Sequence, residues 1–123
     1  QLVAQRAATL RAELRRLNPD LRFAFRSAQL PSDWFSLGLL RGFSDPDTPV
    51  FLWTREPRVR DVLERYRARG IFALSAVGLT PERIASNEWP RLRPLAFVEH
   101  DGFWLPWVQH ADSLGRLLRR LAR

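Results

Sequence analysis

The chain has 123 residues, 46% of them hydrophobic and 27% charged, with a net charge of +7. That composition fits one globular domain and excludes an extended disordered chain. Cysteine and lysine are both absent, which removes disulfides, thiolate metal sites, Schiff-base lysines and Walker lysines from consideration.

Val3, Ala7, Leu10, Leu14 and Leu17 recur at spacings of 4 and 3 and predict an amphipathic helix over 2–17. Asn18-Pro19-Asp20 stops it. In Leu21–Arg26 the apolar Leu21, Phe23 and Phe25 alternate with Arg22, Ala24 and Arg26. This is the pattern of a half-exposed strand near a sheet edge. Ser32 or Asp33 then offers an N-cap for a helix that runs to about Arg41-Gly42.

Val50-Phe51-Leu52-Trp53 and Ile71-Phe72-Ala73-Leu74 are wholly apolar runs separated by the charged segment Glu56 to Arg69. Apolar runs of this length read as strands buried on both faces, and the intervening helix makes them a parallel βαβ crossover. Thr80-Pro81-Glu82 starts a short helical turn. The prolines of 89–94 argue against helix or inner strand. Leu95–His100 and Phe103–Val108 flank Asp101-Gly102, which reads as a β-hairpin, and Pro106 confines its second strand to an edge. Leu114, Leu117, Leu118 and Leu121 form the stripe of a closing helix.

The fold class expected is α/β: a three-layer α/β/α sandwich with a mainly parallel central sheet, flavodoxin-like or receiver-like, and a C-terminal hairpin at one edge. The chain opens at Gln1 without any methionine, so residues 1–123 are expected to be a single domain excised from a longer polypeptide. No run of about 18 apolar residues is present to span a bilayer. The amino terminus also lacks the continuous apolar core of a secretory signal. A cytoplasmic location is expected.

Segments 1–18, 55–69 and 111–123 each carry a net charge of +3. Positive charge therefore sits on three predicted helices. It suits either solvated helix faces or an anionic partner.

Between Pro19 and about Glu82, four features occur together: Pro19-Asp20-Leu21 leading into a strand, Leu30-Pro31, Pro49 followed by Val50–Thr54, and Gly70-Ile71-Phe72. In this the chain resembles the receiver domain of two-component response regulators. The resemblance places the phosphoacceptor aspartate near Ser27 and the lysine after the last strand near Ser75; only the Ser/Thr position is kept, as Thr54. The family's acidic pair after its first strand would fall upstream of Gln1, and without these carboxylates the resemblance implies neither an Mg²⁺ site nor a phosphoacceptor. The resemblance thus implies a pseudo-receiver that docks or dimerises without phosphorylation. The hairpin is foreign to that family.

Candidate sites follow from the strand ends and the aromatic residues. Thr54 capping the next helix, with Arg55 and Arg58, makes a candidate anion site, because a helix start presents free N–H groups; Ser27 and Gln29 lie nearby. Arg58-Val59-Arg60-Asp61 matches the Arg-x-x-Asp pattern used by some cyclic di-GMP binders, at a frequency chance alone supplies in so arginine-rich a chain. Arg65, Arg67 and Arg69 make a candidate basic helix. His100 and His110 have no partner at metal-ligand spacing, and His100 is expected on the hairpin surface. Phe103, Trp104 and Trp107 form the candidate interaction surface, since Trp is enriched at interface hot spots. No catalytic residue, cofactor or metal is assigned.

The leading expectation is a non-catalytic regulatory or protein–protein interaction domain within a larger protein, with a homodimer as one form of partner. The second is an arginine-rich domain binding nucleic acid or an anionic ligand such as a cyclic dinucleotide. An enzyme of phosphotransfer or hydrolysis ranks third.

Overall fold

The computed structural model describes residues 1–104 and 111–122. In chain order the elements are α1 (Leu2–Leu17), β1 (Ala24–Arg26), α2 (Trp34–Phe43), β2 (Val50–Thr54), α3 (Arg60–Ala68), β3 (Ala73–Gly78), α4 (Pro81–Ala85), α5 (Trp89–Glu99), β4 (Gly102–Trp104) and α6 (Ala111–Ala122). The protein is α/β, and among the described residues its strands form one four-stranded, all-parallel sheet in the order β1-β2-β3-β4. No described helix is long and apolar enough to cross a membrane.

Local chemistry explains where the helices begin and end. Asp33 caps α2 by accepting from the Ser36 amide at 2.8 Å. Thr80 caps α4 by accepting from the Arg83 amide, and Pro81 takes a first-turn position that needs no N–H. Gly70 turns the chain out of α3 at φ +76°, in the left-handed region that favours glycine. On α2, Gly42 lets α1 approach closely. A Cβ there would stand 2.4 Å from both the Ala4 carbonyl oxygen and the Ala7 Cβ. Arg11 of α1 closes the same junction with an ion pair to Asp45 at 3.1 Å.

Each strand pairs with the one that precedes it in sequence. Right-handed crossovers between such strands place every crossover helix on one face of the sheet. The core has that arrangement. Val50 and Leu52 of β2 bury against Leu40 of α2 and Tyr66 of α3, with Phe23 and Phe25 packed alongside. Val77 of β3 buries against Ile84 of α4, Trp89 of α5, and Leu117 and Leu121 of α6. The Tyr66 hydroxyl donates to the Pro31 carbonyl, and burial pushes its pKa up to about 12.

The other face lacks such a layer among the described residues. Phe51 and Trp53 keep 38% and 39% of their surface exposed, and Ala24 and Arg26 beside them are exposed as well. Strand β2 was expected to be buried on both faces; it is buried on one. The third layer of the expected sandwich is therefore not seen.

The expected hairpin is corrected too. Leu95–Glu99 belong to α5, and β4 runs parallel to β3, so Asp101-Gly102 joins a helix to a strand. Asp101 fixes that junction. Its amide donates to the Ser75 carbonyl, and its carboxylate accepts from the Ser75 amide at 2.9 Å and from Arg60 at 3.1 Å. His100, expected on a hairpin surface, is buried instead.

Candidate functional site

Parallel partners share a face, so the sheet register gives the composition of the open side. Ala24, Phe51 and Leu74 form one row. Arg26, Trp53, Ala76 and Gly102 form the next, and Gly78 with Trp104 ends the face. After Leu74 the β3 positions on this face are the small Ala76 and Gly78, and large aromatic residues stand on both sides of them. The Trp53 and Trp104 indoles meet over that shallow strand, stacked with centroids 5.8 Å apart. Gly78 makes the approach possible, because a Cβ there would lie 2.7 Å from Trp104 Cζ2. The Arg26 guanidinium sits over the Trp104 ring at 5.3 Å, within cation–π range. The result is an apolar aromatic platform with one cation above it, at the carboxyl ends of the strands.

Trp104 thus belongs to the open face, whereas Phe103 points to the helix side and packs edge-on against Phe97 of α5. The expected surface of Phe103, Trp104 and Trp107 is divided between two faces, and Trp107 lies outside the described residues. Phe51 and Trp53 were missed as surface residues. Their apolar neighbours Val50 and Leu52 masked the period of two that would have revealed it.

The expected anion site has a different occupant. Helix α3 begins at Arg60 with Val59 as N-cap, so Thr54 does not cap it. The Thr54 hydroxyl is buried, donating to the Ala28 carbonyl and accepting from the Glu56 amide. The first amides of α3, on Val59 and Arg60, both donate to Glu99 Oε2 at 3.0 and 3.1 Å. These two bonds, Arg60 first, hold the Glu99 carboxyl below the usual range, with Arg58 adding attraction. The chain's own carboxylate therefore fills the place proposed for an external anion. Arg55 and Arg58 remain exposed.

Arg65 and Arg67 of α3 and Arg69 at its C-cap are exposed, but they do not form one patch. At about 100° per residue Arg65 and Arg69 share a side, and Arg67 stands roughly opposite. The Ser27 hydroxyl donates to the Gln29 carbonyl. Ser75 is buried.

Comparison with models of known protein families, with characterised proteins and with solved structures finds no match to this chain.

Proposed function

We propose that this protein is a non-catalytic interaction module, regulatory in a larger assembly, that docks an amphipathic helix of another polypeptide on its open sheet face. The observation that carries the reading is the exposure of Phe51 and Trp53 on an all-parallel sheet. Parallel sheets otherwise have both faces covered, because an apolar face in water loses the burial that stabilises it. The partner helix would supply the third layer of a flavodoxin-like or receiver-like sandwich. Exposed Arg26 at the rim favours acidic residues on the flank of that helix. On the receiver-like reading, the domain is a pseudo-receiver that docks without phosphorylation.

A photo-crosslinking residue placed at Phe51 tests this in the protein expressed in cells and in its cellular complexes. The expected crosslink falls in an acidic amphipathic helix, with W53A abolishing it and R65Q/R67Q leaving it unchanged. Crosslinks that ignore W53A overturn the reading. Crosslinks to a second copy of the same face assign a homodimer instead. Nucleic-acid binding, the second reading, is separated by salt, since phosphate contacts weaken steeply as salt is added and an aromatic interface does not.

A further inference from the structure

A second site lies away from the sheet, where the first turns of α5 meet the carboxyl-terminal half of α6. A cleft of about 610 Å³ opens there, lined by Trp89, Pro90, Arg93, Arg116, Arg119 and Arg120. Four of these six residues are cationic and none is acidic. Bringing arginines together round one concavity costs Coulomb energy, which the carboxyl-terminal end of α6 offsets in part.

Two further features separate the cleft from an ordinary basic helix face. Arg93 is held in place, its Nε donating to the Leu121 carbonyl at 3.0 Å and its guanidinium lying 5.1 Å from the Phe97 ring centroid. Trp89, in the wall, is only 4% exposed, and its buried indole Nε1 has no hydrogen-bond partner among the described residues. Buried donors are ordinarily satisfied, so an unpaired one in a residue lining a cationic cleft points to an acceptor beyond the described residues. Among the described residues neither Arg119 nor Arg120 is in an ion pair, which leaves their planar forks available for bidentate contacts.

We infer that the α5–α6 cleft binds a compact polyanion carrying two or more linked phosphate groups. Arginine forks match phosphate oxygens bidentately, and several of them converging suit a chain of phosphates better than a single carboxylate. The cleft volume also falls in the range of small-ligand sites of about 300–1,000 Å³. This site is independent of the open sheet face, so either proposal can fail without the other.

The test is titration of the protein with inorganic tripolyphosphate, and separately with a nucleoside triphosphate, by calorimetry at fixed ionic strength. The Trp89 indole N–H resonance is followed in parallel by NMR. Saturable binding should shift that resonance. R119Q/R120Q should weaken it about tenfold or more, whereas R65Q/R67Q, with the same loss of charge, should change it less than about twofold. Tighter binding of the nucleoside triphosphate assigns a nucleotide, and equal binding assigns the phosphate chain alone; both support the site. Equal weakening by the two double variants, or no saturable shift at Trp89, overturns it. So does a single-stranded RNA that binds more tightly than tripolyphosphate and loses equally in both variants.

Discussion

Trp53 and Trp104 stack across a strand to which neither belongs, their centroids 5.8 Å apart over the small residues Ala76 and Gly78 of β3. The pair couples β2 to β4 without a hydrogen bond between those strands. It makes the open face a continuous surface, and its geometry depends on a glycine that the sequence alone gives no reason to single out.

Gly78→Ala is expected to push the Trp104 indole aside, since its Cβ would come within 2.7 Å of that ring. The near-ultraviolet circular dichroism of the stacked indoles should diminish. Urea unfolding should show a loss of about 1–3 kcal/mol, as for other overpacked sites. Gly102→Ala is the control. Among the described residues nothing lies within 4 Å of a Cβ there, so it should be neutral or stabilising by about 0.5 kcal/mol.

Gly42→Ala should destabilise the protein by about 2 kcal/mol or more, because backbone as well as side chain stands in the way. Chemical denaturation checks this. An unchanged midpoint would show that α1 and α2 separate freely.

Glu99→Ala removes the acceptor of two helix-start amides and should cost about 1–2 kcal/mol at neutral pH. The folded-state pKa of Glu99 lies below its ordinary value of 4.5. Its contribution is therefore fully present above that pH and is lost as pH falls through the lower folded value. The stability difference between wild type and E99A should shrink on acidification, and a difference that stays constant to pH 3 contradicts the assignment.

His100 gives a second acid-sensitive element at higher pH. Its Nε2 bonds the Glu56 carbonyl at 2.8 Å, and its buried Nδ1 has no hydrogen-bond partner among the described residues. Burial lowers the imidazole pKa below 6.5, against the pull of the Glu56 carbonyl and the Glu99 charge. The unfolded chain thus takes up the proton first. Stability should be full above about pH 6.5 and decline as pH falls below it. Urea unfolding at pH 8 and pH 5.5 should show that decline in the wild type, and H100Q should flatten it.

The alternation of Phe23 and Phe25 with exposed neighbours makes β1 legible, and two wholly apolar runs one helix apart make the β2-α3-β3 crossover legible. Helix α1 is legible from its spacing, although Leu10 and Leu17 of that stripe are exposed, and Asp33 and Thr80 announce their caps. Two readings failed for opposite causes. In α5 the prolines argued against a helix, yet Pro90 sits where no amide is needed, and burial of Trp89 with Leu92 and Ala96 packed alongside offsets the hydrogen bond missing at Pro94. In β2 a continuous apolar run concealed that its alternate residues face solvent. The capping of α3 by Glu99 joins residues 40 apart, and no local pattern encodes that distance. The candidate site was half legible: Trp104 was singled out, but its stacking partner Trp53 was taken for core.

The neighbour-by-neighbour strand order described above also bears on how the domain is made. Every strand docks onto one already present, so no early segment must wait for a late one before the sheet can grow. Each pairing spans one whole crossover in sequence and carries its loop-closure cost, but none spans more than one. A nascent chain carrying residues 1–78 should already protect β1–β3 from proteolysis, with β4 added as an increment. Biogenesis of this domain is thus accretion along the polypeptide, completed when Glu99 caps α3 and α5 and α6 cover Val77.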